Sequence, residues 1–269
     1  MVRHRLASTA LLALAIGISG GAAVAADLPA RIPTKAAVAI DPATNWSGFY
    51  LGVNAGYGWG RSSLNSTVAG GFGIPANGAL VAGLDTLRLS PKGFTGGGQA
   101  GYNWQVGRFV FGVEAEFDYL GLRSTQTGSG VFIGGGNFTV TNSVKTDWLF
   151  TARPRLGYAF DRTLIYVTGG LAVTEVKYGS SLVTPAFAVN NDANSSTVRA
   201  GWTAGAGLEY ALLNNWSVKA EYLYADFGSV SMTSIGQNGA LYNQSATLTT
   251  HIARGGINYK FGGPVVARY

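Results

Sequence analysis

Residues Phe94–Gly121 read FTGGGQAGYNWQVGRFVFGVEAEFDYLG, two alternating arms joined at Gly107-Arg108. In the second arm Phe109, Phe111, Val113, Ala115, Phe117 and Tyr119 alternate with Val110, Gly112, Glu114, Glu116 and Asp118. A period of two puts successive side chains on opposite faces of a strand. One face is then apolar or aromatic, while the other gathers three acids among small residues. A half-buried strand of a water-soluble sheet turns its charges outward to bulk water. This one does the reverse, which fits lipid outside and a narrow polar interior.

The pattern recurs along the chain. Gly48–Gly60, Phe94–Val106, Phe109–Gly121, Asp147–Phe160, Leu164–Tyr178, Ala200–Leu212, Trp216–Gly228 and Leu248–Phe261 form eight alternating segments of about 13 residues. A membrane-spanning strand needs only about 9–11 residues. Long connections (Arg61–Gly93, Leu122–Thr146, Gly179–Arg199, Ser229–Thr247) alternate with short ones at Gly107-Arg108, Asp161-Arg162-Thr163 and Leu213-Asn214-Asn215. Lipid admits only helix bundles or closed barrels, because every backbone polar group there needs a partner. The expectation is an all-β, eight-stranded antiparallel up-and-down transmembrane β-barrel over residues 47–261. Short turns and both chain ends would face the periplasm and the long loops the exterior. A secreted β-sandwich with the rings in its core is the competing reading.

Aromatic residues supply the girdles expected at the two membrane interfaces: Tyr57, Trp59, Trp104, Tyr119, Trp148, Tyr158, Trp202, Tyr210, Trp216, Tyr222, Tyr224 and Tyr259. Composition agrees with this. Of 269 residues only 12% are charged, while Gly numbers 40 and Tyr and Phe 13 each. Cysteine is absent, which excludes disulfides and thiolate metal sites.

The N-terminus reads MVRHRLASTALLALAIGISGGAAVAA: two arginines, an apolar run, then small residues. That layout predicts a secretory signal over 1–26, cleaved after Ala26, with a run too short for the ~20 residues of a spanning helix. Loss of Arg3 and Arg5 lowers the formal charge of +6 to +4. The remaining bases are scattered, so no nucleic-acid footprint is expected despite a pI near 9.5. Residues 27–46, with three prolines, read as a periplasmic linker, and 262–269 as a short tail.

Period-two reading directs Glu114, Glu116, Asp118, Glu209 and Glu221 into the lumen together with Arg153, Arg155, Lys219 and Arg254, four bases, or five where Lys260 also turns inward. An eight-stranded barrel is only wide enough for side chains to fill it, so these charges are expected to pair as a plug. A narrow ion pathway stays open as the alternative, since the same charges would set selectivity and lumenal glycines (Gly52, Gly97, Gly101, Gly112, Gly201, Gly205, Gly207) would leave space.

Other motifs carry less. Gly96–Gly101 matches a dinucleotide fingerprint literally but lies inside a strand rather than at a strand-to-helix turn. His251, alone in the mature chain, has no Ser and carboxylate near it in the pattern, so no catalytic, cofactor or metal site is expected. Asn65-Ser66-Thr67 is a chance sequon in an Asn/Ser-rich stretch. Arg61, Arg88, Lys92, Arg123 and Lys145 are candidates to meet lipopolysaccharide phosphates.

The pieces NWSGFYLGVNAGYGWG, GGGQAGYNWQ, FVFGVEAEFDYLG, ARPRLGYAF, LIYVTGGLA, AGLEYAL, NWSVKAEYLYADFG and RGGINYKF resemble the small outer-membrane β-barrels of alpha-proteobacteria, of the OmpA-like and opacity-protein type. The resemblance covers nearly all of Trp46–Phe261. It implies a Gram-negative cell outer-membrane protein that supports envelope integrity and presents loops for host or surface contact. Arg254, Gly256, Tyr259 and Phe261 resemble the terminal-strand signal read by the barrel-assembly machinery, although GGPVVARY continues past Phe261. No peptidoglycan-binding domain follows, so that anchoring role is not carried over. The expected partners are outer-membrane lipid and lipopolysaccharide, the assembly machinery and an unnamed loop ligand; the expected state is a monomer. A small porin-like channel is the alternative function.

Overall fold

The computed structural model describes residues 44–262, apart from 87, 186–188, 214 and 237–238. The expected signal segment, the linker up to residue 43 and the tail after Gly262 lie outside the described residues.

Strands β1 (Gly48–Ala69), β3 (Lys92–Val106), β4 (Phe109–Leu120), β6 (Asn137–Phe160), β7 (Thr163–Thr184), β8 (Val189–Ala211), β9 (Trp216–Ile235) and β10 (Leu241–Lys260) form an antiparallel ring. It closes because β1 pairs with both β10 and β3, Leu51 lying opposite Tyr259 on one side and Ala100 on the other. The protein is an eight-stranded up-and-down β-barrel. Among the described residues no helix is long and apolar enough to cross a membrane.

Turn chemistry sets one end. Gly107 (φ 61°), Asp161 (φ 51°) and Asn215 (φ 68°) take left-handed conformations in the three short turns. Gly, Asp and Asn tolerate that region best.

The barrel is inside out relative to a soluble fold. In β4 Glu114, Glu116 and Asp118 are at most 4% exposed, whereas Phe109, Phe111, Val113, Phe117 and Tyr119 are 46–60% exposed. That outer surface is stable only against lipid.

The long connections are not loops, which corrects the sequence reading. Most of their residues continue the strands: β1 runs to Ala69, β7 to Thr184, and β8, β9 and β10 extend correspondingly. The 24 residues of β6 amount to roughly 60 Å of height at about 3.4 Å per residue and a tilt near 40°. An apolar band of about 25 Å uses less than half of that. In the outer halves the apolar side chains turn inward, as Phe138, Val140 and Val144 of β6 do, while Thr139, Thr141 and Ser143 face the other way, so the outward apolar face that marks a membrane strand is missing. Arg61–Gly93 also contains helix α1 (Pro75–Asp85) and the short strand β2 (Arg88–Leu89), and Leu122–Thr146 contains β5 (Arg123–Val131), hairpinned to β6.

Candidate lumenal site

Antiparallel register sets opposite charges side by side: Glu114 opposite Arg153, Glu209 opposite Lys219, Glu221 opposite Arg254. The long side chains then reach beyond those neighbours, across the lumen. Arg153 bridges Glu114 at 2.9 Å, Glu116 at 2.7 Å and Glu221 at 3.3 Å. Arg254 joins Asp118 at 2.8 Å and Glu116 and Glu221 at 2.5 Å each. Lys219 lies 3.3 Å from both Glu114 and Glu116. Arg155 donates to Glu209 at 2.8 Å and sits 4.0 Å over the Tyr166 ring. All nine side chains are at most 4% exposed. Lys260 stays partly exposed at the rim, donating to the Asn45 carbonyl.

Five carboxylates thus face four cations, and neutral donors engage the remaining carboxylate oxygens. Tyr50 donates to Glu114 at 2.7 Å, Tyr166 to Glu221 at 3.3 Å, Ser217 to Glu209 at 2.6 Å and Asn258 to Glu209 at 2.8 Å. Asn54 links Gln99 to Asp118, at 2.8 and 2.9 Å. Tyr166 and Ser217 escaped the sequence reading, although both share the inward parity of their strands. A desolvated charge needs such partners to be tolerated, and every carboxylate here has them, while Arg153 Nε and Arg155 Nε remain without an acceptor. Glu114, Glu116 and Glu221 bring carboxylate oxygens within 4.8 Å of one another, a spacing that would suit a cation. Arg153, Lys219 and Arg254 already occupy that role.

The space beside the lumenal glycines is occupied, which corrects the expectation of unfilled volume there. A Cβ on Gly207 would stand 2.5 Å from the Tyr166 ring, and one on Gly52 2.6 Å from Gln99 Nε2. Those on Gly101 and Gly112 would strike Tyr50 and Asn103, and those on Gly97, Gly201 and Gly205 the neighbouring strand. At Gly52, Gly101, Gly112 and Gly207 large polar side chains fill the volume that glycine vacates.

Apolar layers lie on both sides of the charges. Toward the short turns Trp46, Val110, Leu164 and Tyr166 close the floor. Toward the exterior Leu120, Leu122, Leu149, Leu223, Phe227 and Ile252 belong to a dry layer above the network. Higher still, α1 packs into the barrel mouth. Its buried residues Asn77, Gly78, Val81 and Asp85 share one helical face. Asn77 accepts from the Ile133 backbone N–H at 2.8 Å, and Asp85 accepts from Gln244 at 2.7 Å and Ser180 at 3.3 Å.

On the outer surface the named rings face outward. Trp59 stacks on His251 with centroids 5.8 Å apart, and Tyr222 Oη lies 2.6 Å from His251 Nδ1. His251 is therefore part of the outer aromatic belt. At the opposite belt Tyr259 packs on Trp216 and Phe261, at 5.1 and 5.0 Å. Gly256 lies where a Cβ would press on the Val53 carbonyl at 2.9 Å and the Lys219 chain at 3.3 Å.

Residues 10–261 match the family described as "Outer membrane protein beta-barrel domain". The 31 kDa outer-membrane immunogenic protein of Brucella melitensis biotype 1 is 37% identical over 93% of this chain and 98% of its own length. The 22 kDa outer membrane protein of Rhizobium leguminosarum bv. viciae is 32% identical over 71% of this chain and 68% of its own. Neisserial surface protein A, a solved structure, is similar over 80% of this chain and 98% of its own, at 17% identity and a TM-score of 0.33. The chain belongs to the outer-membrane protein β-barrel family and resides in the Gram-negative outer membrane.

Proposed function

We propose that this barrel is a closed structural element of the outer membrane, which displays its extended outer half at the surface and does not conduct. One observation carries the reading. The lumen at membrane level is blocked by a fully buried charge network sealed above and below by apolar side chains. An ion entering would have to cross both dry layers and break several satisfied ion pairs. Refolded mature protein in a planar bilayer is expected to stay silent under voltage. Reproducible conductance steps that Glu116→Ala and Arg153→Ala alter would replace this reading with a porin-like channel.

The outer wall supports lipopolysaccharide as the lipid partner. Lys92 lies opposite Arg123, Arg123 opposite Lys145, and Lys145 opposite Lys177. Four cations thus stand in one row across β3, β5, β6 and β7, about 4.8 Å apart. The row runs level with Trp59, the cross-strand partner of Lys92. Like charges directly opposed destabilise a sheet. At one end Asp147 compensates, 2.9 Å from both Lys145 and Lys177. Among the described residues no ion pair reaches Lys92 or Arg123, so lipopolysaccharide phosphates at that height would supply the missing charge.

A further inference from the structure

Strands β8 and β9 pair from the short turn only as far as Trp202 opposite Asp226. Beyond that level β8 continues from Gly201 back to Val189 and β9 from Phe227 to Ile235, and among the described residues no ladder joins them. Each stays paired on its other side, β8 with β7 up to Val189 opposite Thr184, and β9 with β10 up to Ile235 opposite Leu241. The local cause is visible. Gly228 takes φ 67°, its N–H is held by Asp226 Oδ1 at 2.8 Å, and β10 carries a register shift between Thr247 and Thr249. A left-handed residue in a strand turns it, and here β9 leaves β8 just above the aromatic belt.

The ring, closed at membrane level, is therefore open above it. A cavity of about 530 Å³ occupies the opening, with Ser195 of β8 and Ser234 of β9 on its two rims and Leu64, Leu182 and Tyr178 among its apolar lining. Ser195 lies opposite the buried Tyr178 and Ser234 opposite the buried Tyr242, so both serines point inward. Asn142 also lines the cavity, and it is 1% exposed with an Oδ1 that has no hydrogen-bond partner. A buried amide oxygen without a partner marks a place where a donor is missing.

The geometry points to a binding site for an extended peptide, inserted between β8 and β9 to complete the wall of the outer half. Two facing strand edges present unpaired backbone N–H and C=O groups, and a peptide backbone is the ligand that satisfies both rows together. Alternate side chains of that peptide would point inward, onto Leu64, Leu182 and Tyr178, and toward the Asn142 amide. The class is thus an extended segment with apolar residues at every second position. A neutral saccharide meets the hydroxyls and the amide but leaves the two backbone rows unserved.

The test uses the refolded mature protein in detergent and a phage-displayed library of random nine-residue peptides. Enriched sequences are expected to alternate apolar and polar residues and to slow amide exchange in Val189–Gly201 and Phe227–Ile235. Filling the cavity with Ser195→Trp plus Ser234→Trp should weaken their binding by about 100-fold or more, while Arg108→Ala at the opposite, short-turn end leaves it unchanged. Each variant is checked for the heat-modifiable gel shift of a folded barrel; if the filled variant fails it, Asn142→Leu takes its place. The proposal is overturned if no peptide is enriched, if the filled barrel binds equally well, or if protection maps elsewhere. It is overturned in favour of a saccharide site if maltotriose binds with the same sensitivity to filling and the peptides do not. None of these outcomes depends on whether the membrane-level lumen conducts.

Discussion

The inner and outer halves of this barrel share strands yet obey different rules. At membrane level, lipid outside forces closure, and the lumen holds charges paired so completely that all nine are buried. Above the aromatic belt, water can satisfy the backbone, and the ring no longer needs to close. There β8 and β9 separate, a helix fills part of the mouth, and Gly73, Gly83 and Gly135 meet open space. The solvent at each level determines how much satisfaction the protein must supply for itself.

Truncation inside the network should break this contrast most forcefully. Arg254 touches Glu116, Asp118 and Glu221, so Arg254→Ala leaves three buried carboxylates short of a cation. A loss of about 3–5 kcal/mol is expected, read from urea unfolding in detergent. A change below about 1 kcal/mol would mean that lumenal water already screens these groups.

One substitution should act with opposite sign in the two halves. Gly207→Ala drives a methyl into the Tyr166 ring and the Ala220 carbonyl, the latter 2.9 Å away, an overpacking expected to cost about 1–3 kcal/mol. Gly83 is exposed in α1 and has nothing within 4 Å of its missing Cβ. Gly83→Ala should stabilise the helix by about 0.5–1 kcal/mol, seen as slower amide exchange in Pro75–Asp85 with no change in global unfolding. Equal effects at the two sites would remove the distinction between a filled lumen and a roomy mouth.

The two halves also differed in what could be read beforehand. Strand number, membrane-level strands and inward charges were legible because lipid imposes a strict period of two on each segment. The outer strands were missed since Ser-, Thr- and Asn-rich stretches such as Asp192–Thr197 carry no outward apolar face to mark them as membrane strands. Helix α1 was missed because PANGALVAGLD has no acidic residue in its first turn, no basic residue in its last and no side-chain cap, so tertiary packing on Val81 and Asp85 holds it. In the network the face was readable but the partners were not. Lys219 lies opposite Glu209 in register yet reaches Glu114 and Glu116, since a narrow lumen lets long side chains cross it.

Reversing the cation row acts on the boundary between the halves. Lys92→Glu with Arg123→Glu should leave unfolding in lipid-free detergent almost unchanged, because neither residue has an ion partner among the described residues. It should abolish most of the rise in melting temperature that added lipopolysaccharide gives the wild type, and raised salt should do the same to the wild type. An undiminished rise in the variant would place the lipid elsewhere on the wall.

The smallest effect belongs to the compensated end of that row. Asp147 accepts hydrogen bonds from Lys177 and Lys145 just outside the aromatic belt, and these hold its carboxyl below the usual carboxylate range. A depressed folded value means that the contribution is present above the unfolded value near 4 and is lost as pH falls through the folded one. Both lysines are substantially exposed, with side-chain accessibility of 41%, and water screens such pairs strongly. Asp147→Asn should therefore leave global unfolding at neutral pH nearly unchanged. It should still flatten the acid-side loss of amide protection in the neighbouring outer parts of β6 and β7. If acid weakened wild type and variant equally there, the carboxylate would be a bystander, and the outer half would owe its acid sensitivity to some other group.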